Sequence, residues 1–473
     1  MAEGIQRAGE WELIECKLLT STGLDHNLLP HIMGVTLYEN MYQSCIVGTL
    51  MMHNSLSLSN IAPIIGQEFI SIKFGTPTMN DDNAKLDFTE NVFHTRGLAK
   101  REVLDESEFI ALDFVSTELF RNLRIRVSEA FDGSVSSIVS KMLKRIKCEK
   151  DRYIEPTNGR IRYIAPNLTP FGVIQKVLPR ATSGTSSQKS PSPVYGFWES
   201  TKGMHFRTID SCIAQQPRWR YTNIDMDRNL KNGQPSIMDG LSAIRGLALK
   251  TNDSMMDMAT GVLNSTLITH NTHTKSFTKT EYNYLDAFEG EQHIGDGHPL
   301  YNNSGHAIED KGKGRISDGT GKIFLSSTVE EKNTFIDPSY TDSSGNYSFV
   351  GYKPYTWLQR QHSQQHQLSE GIKINITVMG NTVVSAGDIV TVDLPKRQID
   401  RVEGEKEKFD TFVQGDFLVK AIKHKFIVGQ DHTMVIELVR DSVAVKYDEI
   451  ETSIEPRPAN TGHEFNDIYV IES

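Results

Sequence analysis

Two histidines four positions apart come closest in this sequence to the spacing of a chemical site. On a helix, His362 and His366 would lie on one face, where two imidazoles can share a metal ion. The segment lacks the adjacent glutamate of a zinc-protease motif, and the sequence offers no obvious third ligand. We therefore predict that this pair lies on a solvated helix face and holds no metal. Five further histidines lie in polar, loop-like surroundings and receive no role: His270, His273, His293, His298 and His306.

The sequence patterns of other catalytic and cofactor sites are incomplete or missing. Residues 225–229 resemble the start of a calcium loop, but the glycine and the closing glutamate do not fall at the required spacing, so we predict a turn. No phosphate-binding loop, dinucleotide fingerprint or nucleophile elbow occurs in the usual strand-to-helix setting. No pair of carboxylates stands out for glycoside hydrolysis. We therefore predict no catalytic residue, no cofactor and no metal ion, and hence a protein that is not an enzyme.

Composition excludes several broad classes of protein. The chain has 473 residues, of which 38% are hydrophobic and 23% charged, enough for a buried core and about two to four domains. Its 60 acidic residues outnumber 50 basic ones, and a net charge of −10 argues against a chain that grips DNA phosphates. The sequence has no long apolar run and no signal-peptide core, so we expect neither membrane insertion nor export. The four scattered cysteines fit buried packing positions better than a zinc site or a disulfide framework.

Alternating apolar and polar residues predict that the first part of the chain is a β domain. Between Trp11 and Leu123, short alternating runs are separated by Gly, Asn, Asp and Pro, which is typical of half-buried strands. Residues 69–74 and 109–114 are the clearest of these runs. Because no long helical period falls between the runs, we predict a small antiparallel barrel over residues 1–124.

The spacing of apolar residues changes over residues 125–235, for which we predict a small α/β insert. Apolar residues recur every three or four positions over residues 135–146, which predicts an amphipathic helix. Thr169-Pro170 predicts the start of a second helix, with threonine as the N-cap and proline in the first turn. Residues 195–206 fit a strand, a glycine turn and a return strand, which lead into a short helix at 209–213.

The rest of the chain combines loops, helices and a second β region. We predict an exposed loop at 181–193. A helix at 237–258 and the first strands of a second barrel at 266–284 form the segment 236–284. A loop-rich insertion with a polar helix follows at 285–370, then the second barrel at 371–446 and an acidic tail at 447–473. The tail holds seven acidic residues against Arg457 alone, so more than half of the net charge lies there.

An internal repeat links the two β regions. Residues 66–74 and 387–394 share a glycine turn, an acidic residue and an alternating apolar run, with one residue of offset. Such patterns also recur by chance in unrelated strands, so a true repeat and a coincidence both remain open. If the repeat is real, a trimer would present six barrels in a ring, which can match a sixfold partner at one end and a threefold partner at the other.

Four segments, taken together and in order, carry a resemblance to a known family. They are residues 166–171, which open a helix, 196–209, 374–390 and 417–442. With these segments the chain resembles the central baseplate hub proteins of contractile-tailed, T4-like bacteriophages. The N-terminal part of type VI secretion spike proteins shares that fold. The resemblance covers most of residues 10–445.

The resemblance implies a structural virion protein with two tube-type β-barrels. Such a hub forms a homotrimeric, pseudo-sixfold ring that joins the sixfold tail tube to the threefold cell-puncturing spike. It implies partners that include a separate spike chain, tube or tube-initiator proteins, the tape-measure protein and baseplate wedge proteins. DNA would pass through the lumen without specific binding. The protein would be part of the tail baseplate of the virion, assembled in the cytoplasm of the bacterial host.

Two parts of the chain depart from that family pattern, and two other functions stay open. The long segment 289–352 and the acidic tail have no counterpart in the resemblance, so their contacts are undefined. A tail-associated, peptidoglycan-degrading enzyme is one alternative. A carbohydrate-binding module at the tail tip is another, and clustered exposed aromatic residues would favour it. The four tryptophans are dispersed instead: Trp11, Trp198, Trp219 and Trp357.

Overall fold

The computed structural model describes eleven stretches of the chain. They are residues 8–20, 23–54, 64–76, 85–104, 107–183, 193–222, 237–272, 275–303, 314–328, 354–394 and 413–444. The predicted turn at 225–229, the acidic tail at 447–473 and most of the predicted loop at 181–193 lie outside them.

The described residues are mainly β. The strands are β1 (Glu12–Leu19), β2 (Asp25–Asn27), β3 (Ile32–Asn40), β4 (Val47–His53), β5 (Phe69–Gly75), β6 (Lys85–Asp87), β7 (Phe93–Leu104), β8 (Ser107–Ser116), β9 (Val127–Gly133), β10 (Arg152–Ile154), β11 (Ile161–Leu168), β12 (Tyr195–Ser200), β13 (Gly203–Thr208), β14 (Trp219–Thr222), β15 (Ile244–Lys250), β16 (Asn264–Asn271), β17 (Ser276–Asn283), β18 (Lys322–Thr328), β19 (Ile372–Met379), β20 (Ile389–Asp393), β21 (Gly415–Ile427) and β22 (Thr433–Arg440). The α-helices are α1 (Thr117–Leu123), α2 (Val135–Arg145), α3 (Pro170–Val177), α4 (Ile209–Ile213), α5 (Ile237–Ser242), α6 (Ser254–Thr260), α7 (Tyr284–Ala287) and α8 (Leu358–Glu370).

The first β unit is built on strands β3 to β8, with β1 and β2 added at one edge. In β5, the alternation places Ile70, Ile72 and Phe74 in a buried core. In β8, the side chains of Ile110, Leu112 and Phe114 face the same core. Both strands predicted from alternation are therefore confirmed.

The second β unit contains β15 and β19 to β22. Its core is almost entirely aliphatic, because the buried faces of β19 and β22 supply isoleucine, leucine and valine side chains. Ile374 and Ile376 of β19 pair with Leu438 and Ile436 of β22 across this face. The two units have separate cores under one continuous sheet.

The two units repeat one order of strand pairing. That order is β3-β4-β8-β7-β5 in the first unit and β15-β19-β22-β21-β20 in the second. Even the irregularities coincide, because the ladder skips one residue between Ile32 and Gly34 of β3 and between Ile244 and Gly246 of β15. A bulge at the same place in two ladders is not expected from chance alternation, since bulges are local, specific features.

A second shared bulge lies in the hairpins that follow. The register shifts between Thr95 and Gly97 of β7, and again between Val419 and Ala421 of β21. The backbone N–H of Thr95 donates to the carbonyl of the acidic residue that precedes β5, and the N–H of Val419 donates to the carbonyl of the acidic residue that precedes β20. The strand registers thus favour a true internal repeat over the coincidence that the sequence pattern also allowed.

In each repeat an acidic side chain closes the turn that comes before the third strand, which is β5 in the first unit and β20 in the second. The carboxylate of Glu68 accepts a hydrogen bond from the backbone N–H of Ile65, at 2.9 Å, and the carboxylate of Asp388 accepts one from the N–H of Ser385, also at 2.9 Å. In both turns the bond spans three residues, and both turns hold a glycine with positive φ. The shared acid in the sequence pattern is therefore the residue that fixes the turn.

A single strand pairing joins the two units into one sheet. Strand β3 of the first unit pairs antiparallel with β21 of the second, from Asn40 opposite Ala421 to Gly34 opposite Ile427. We call this pairing the joint. It connects residues that lie almost 400 positions apart in the chain, so the folding of the two units is coupled.

The α/β insert follows the first unit, as predicted. Helix α2 buries its apolar face, and helix α3 begins at Pro170 with the Thr169 side chain accepting the N–H of Gly172. The hairpin β12–β13 leads into the short helix α4. Of the predicted loop at 181–193, the described ends are not exposed, because Ala181 and Ser183 are buried.

The predicted helix at 237–258 is wrong in its middle part. Only its ends are helical, as α5 and α6, whereas β15 lies between them and pairs antiparallel with β19. Leu247 and Leu249 oppose Ile376 and Ile374. The alternating apolar residues of this segment therefore form a strand, although their spacing also fits a helix. Gly246 also weakens a helix at this place.

The predicted strands at 266–284 exist, but they do not belong to the second β unit. Strands β16 and β17 form a separate three-stranded sheet with β18, which comes from the segment predicted to be loop-rich. We call this the middle sheet. The polar helix predicted within 285–370 is confirmed as α8 (Leu358–Glu370), which packs between the middle sheet and the second unit.

Candidate functional site

Helix α8 is polar, yet much of it is buried. Gln359, Gln361, Ser363 and Gln367 are all buried. His362 and His366 are half-buried, so the helix face predicted to be solvated is only partly exposed. The side-chain amides are tolerated because they find partners on other elements, as buried polar groups must. The helix thereby acts as a hydrogen-bonded bridge at the centre of the molecule.

The bonds of α8 reach two other parts of the chain. The Gln359 amide donates to the backbone carbonyl of Ser265 in the middle sheet, at 2.8 Å. The Gln361 amide donates to the carbonyl of Pro193 in the α/β insert, also at 2.8 Å. The Ser363 hydroxyl donates to the carbonyl of Val262, at 2.9 Å. These bonds fix the insert and the middle sheet relative to one another.

The two histidines that the sequence singled out point to neighbouring protein groups. His362 Nε2 donates to the carbonyl of Thr260 at 2.8 Å, and burial lowers its pKa. His366 Nδ1 lies 3.4 Å from a carboxylate oxygen of Asp257. Within the described residues, no group of three or more His, Cys, Asp or Glu side chains is arranged to hold a metal ion.

A buried tryptophan connects the insert to the second β unit. The Trp198 indole N–H donates to the carbonyl of Ala386 at 3.1 Å, and the side chain is fully buried. Next to it, the ammonium of Lys202 contacts both carboxylate oxygens of Asp388, at 2.6 and 2.8 Å. Two of the segments that carried the family resemblance, 196–209 and 374–390, are thus in direct contact.

Replacing Gly387 should expose how tightly this contact is made. Gly387 has φ +95°, and a Cβ atom there would lie 2.7 Å from the Trp198 ring. We expect Gly387→Ala to cost about 3 kcal/mol or more of unfolding free energy, from backbone strain and overpacking together. Gly66→Ala is the matched control, because φ is +84° but the nearest atom would lie 3.5 Å away. It should cost about 1 kcal/mol, as measured by urea unfolding. Equal costs would contradict the tight contact.

A buried ionic cluster connects the insert to the first β unit. The Lys150 ammonium lies 2.7 Å from Glu118 and 2.6 Å from Glu199, and all three side chains are almost completely buried. Glu199 also accepts the backbone N–H of Ile46, which precedes β4. Burial alone would lower the pKa of Lys150, but the Glu199 and Glu118 carboxylates outweigh it and raise the pKa. We call this group the Lys150 cluster.

One arrangement resembles a catalytic pair but is closed to substrate. Ser200 Oγ lies 2.8 Å from His205 Nε2, a distance at which histidine can activate a hydroxyl. Both residues are buried, and His205 Nδ1 has no hydrogen-bond partner, so no carboxylate orients the ring. Burial lowers the pKa of His205 to about 3, which removes its capacity as a base near neutral pH. Its ring lies between those of Trp198 and Tyr153, which identifies it as a packing residue.

A buried histidine that received no role in the sequence also makes a structural contact. His293 Nδ1 lies 2.9 Å from Asp441, which follows β22, and His293 Nε2 donates to the carbonyl of Phe288. Burial would lower the pKa of His293, but Asp441 outweighs it and raises the pKa. The pair therefore fastens residues 288–294 to the second β unit. No sequence signal distinguished it, since the two residues are 148 positions apart.

The site of interest is therefore a set of contacts between units. Helix α8, the Trp198 contact, the Lys150 cluster and the joint hold the β units, the insert and the middle sheet in one arrangement. Among the described residues, no helix combines the length and apolar character needed to cross a lipid bilayer.

Solved structures provide the comparisons, since no protein-family model and no curated protein sequence matches the chain. The chain is similar to a tail protein from Neisseria meningitidis MC58, with 10% identity and a TM-score of 0.48, over 90% of this chain and 96% of that one. It is similar to the 43 kDa tail protein of prophage MuSo2 from Shewanella oneidensis, with 9% identity and a TM-score of 0.47, over 90% and 98%.

A third similar structure comes from a secretion system. It is the E. coli c3393 protein, described as a component of the type VI secretion system with structural similarity to the T4 bacteriophage tail proteins gp27 and gp5. The identity is 7% and the TM-score 0.40, over 92% of this chain and 77% of that one. These descriptions name the same two classes of protein as the resemblance found in the sequence.

Proposed function

We propose that this protein is the hub of a phage tail baseplate, in which three copies form a ring of six β units around the DNA channel. The ring joins the sixfold tail tube to the threefold spike, which is a separate chain. The observation that carries the proposal is the repeat, because two equivalent units in one chain are what a threefold assembly needs to present sixfold features.

An open edge on strand β7 supports this assembly. In the second unit, one edge of β21 pairs with β22, and the other edge pairs with two strands in succession. These are β20 and then, from Ala421 to Ile427, β3. In the first unit, the equivalent strand β7 pairs with β5 only at Phe93 and His94. Within the described residues, the edge of β7 from Gly97 onward faces no other strand. We call it the β7 slot.

Strand β15 has the complementary open edge. It is the equivalent of β3 and pairs with β19, and in the described part of the chain no strand pairs with its other edge. Open strand edges invite pairing with another chain. Within one chain, β3 pairs with the edge of β21 that is equivalent to the β7 slot. In the same way, β15 of one copy would pair with the β7 slot of the next copy.

The repeat also predicts the register of that pairing. Phe426 of β21 opposes Val35 of β3, and the equivalent residues are Val103 in β7 and Leu247 in β15. Both are apolar and exposed in the single chain, with 67% of Val103 and 43% of Leu247 accessible. Pairing would cover them, as Val35 and Phe426 are covered at the joint. This head-to-tail contact repeats until the ring closes.

The remaining parts of the proposal concern partners and location. The hub would contact the tail tube or a tube-initiator protein on one side and the spike on the other, with tape-measure and wedge proteins as further neighbours. DNA would move through the lumen without specific binding, since the chain carries a net charge of −10. The protein would assemble in the host cytoplasm and function in the virion. A non-enzymatic role is consistent with the closed Ser200–His205 pair.

The mass of the purified chain in solution tests the proposal. We expect about 160 kDa, three times the 53.2 kDa of one chain, with ring-shaped particles that have a central hole in electron micrographs. Addition of a candidate spike chain should add three copies per ring. A monomer at every concentration, or open filaments instead of closed rings, would contradict the hub.

A further inference from the structure

Three titratable residues form a buried chain of hydrogen bonds at the joint. Glu39 on β3 lies 3.2 Å from His424 Nε2 on β21, and His424 Nδ1 lies 3.3 Å from His432 Nε2 in the turn before β22. All three side chains are at most 1% exposed. The ring of His432 is stacked on Phe426 at 4.0 Å, and its Nδ1 has no hydrogen-bond partner. We call these residues the joint triad.

The bonding pattern fixes where the protons lie. An ionised Glu39 only accepts, so His424 donates from Nε2, and its Nδ1 must accept from Nε2 of His432. In this arrangement Nδ1 of His432 carries no proton. The one atom of the triad without a partner is thus an unprotonated nitrogen, which costs less than an enclosed N–H donor or a charge.

An added proton has no satisfactory place on His432. It would occupy Nδ1, because Nε2 already carries the proton that is shared with His424. The Nδ1–H would face no acceptor, and the ring would carry a positive charge with no carboxylate in hydrogen-bond contact.

Neighbouring described residues form hydrogen bonds with the triad through backbone groups. The carbonyl of Gly9 accepts a hydrogen bond from the backbone N–H of His432, and the backbone N–H of Gly380 donates to the carbonyl of His432. The backbone N–H of Ala386 donates to the second oxygen of Glu39. Asp431 is the adjacent charged residue of the turn, and the neighbouring His424 adds to burial in lowering the pKa of His432.

We propose that the joint triad makes the contact between the two β units an acid-sensitive latch, which is closed near neutral pH and loosens when His432 takes up a proton. The consequence would be a hub whose two units separate in acid while each unit keeps its own core. The inference depends on the geometry of the joint and not on the proposed function.

The direction of the pH dependence follows from the buried histidine. Desolvation, together with the neighbouring His424, holds the pKa of His432 well below 6.5. The open or unfolded chain therefore binds a proton below about pH 6.5 that the closed joint excludes. The stabilisation is complete above that pH and is lost as the pH falls, with the opening equilibrium constant rising about tenfold per pH unit.

Hydrogen exchange of the full chain, corrected for intrinsic rates, tests the latch between about pH 7.5 and about pH 5. We expect peptides from β3 and β21 to lose protection about tenfold per pH unit below about pH 6.5, whereas peptides from β8 and β19 keep theirs. The wild-type result alone decides the point, so no variant has to fold. Protection in β3 and β21 that follows β8 and β19 at every pH would overturn the proposal.

Two variants assign the effect to the triad. His432→Gln keeps a donor for His424 but cannot titrate, so the protection of β3 and β21 should become independent of pH. His205→Gln is the matched control, because His205 is also buried with a depressed pKa but lies in the insert. It should leave the pH dependence of β3 and β21 unchanged. An unchanged slope in His432→Gln would overturn the proposal.

Discussion

Oxidation of a chain that carries Val103→Cys and Leu247→Cys is expected to yield a covalently closed trimer. If copies pair as we propose, these residues lie directly opposite each other across the contact, where Cβ atoms are about 4.5–5.5 Å apart, near the reach of a disulfide. The native thiols should not interfere, because all four cysteines are buried. A non-reducing gel should show one band at three times the chain mass and little monomer.

The register itself is tested by a second cysteine pair. Val103→Cys with Ala248→Cys places the two side chains on opposite faces of the sheet, so we expect little cross-linking. Trimers that form normally but cross-link only through the control pair would disprove the register and leave the hub intact.

The same contact can be broken with one charge. Val103→Asp should turn the trimer into a monomer without lowering the thermal midpoint of the single chain, because Val103 is largely exposed there. Val428→Asp, at another exposed apolar residue, should leave the trimer intact.

Removal of the positive charge from the Lys150 cluster should produce the largest loss of stability. Lys150→Met leaves Glu118 and Glu199 buried together without a cation, and breaking such a cluster costs about 3–5 kcal/mol. We expect the midpoint of urea unfolding to fall accordingly. The insert should also detach from the first unit, since Glu199 no longer holds the N–H of Ile46 in its fixed position.

An exposed lysine in the same insert provides the control. Lys141 pairs with Glu129 on the surface, with 51% of its side chain exposed, so Lys141→Met should cost no more than about 1 kcal/mol. The triple variant Lys150→Met, Glu118→Gln, Glu199→Gln should recover part of the loss, because no uncompensated charge is left. Equal effects of Lys150→Met and Lys141→Met would show that the buried cluster does not stabilise the chain.

Local patterns in the sequence predicted local structure well. The alternation in residues 69–74 defines a strand by itself, because one face must be buried whatever the partner is. The amphipathic pattern of α2 and the Thr169 cap of α3 are equally self-contained. The repeat was also visible, since the acid that closes each turn lies beside the strand that it starts.

Features that depend on distant partners were not predictable. Strand β15 pairs with β19, more than 100 residues later, and its own residues fit a helix nearly as well as a strand. Helix α8 is polar apart from Leu358 and Leu368, and only the carbonyls of Ser265 and Pro193 explain why Gln359 and Gln361 are buried. The joint triad brings together Glu39 and His424 across 385 positions, which no spacing rule anticipates.

The fused repeat has a consequence for how the surface can be elaborated. In the first unit, β3 and β4 are connected by a short turn, whereas the equivalent β15 and β19 are separated by α6, the middle sheet and α8. A single-module subunit used six times would have to display every decoration six times. In a subunit with two modules, one module can carry inserted elements while the other has none. The inserted elements then recur at alternate positions of a ring, while its inner wall stays uniform.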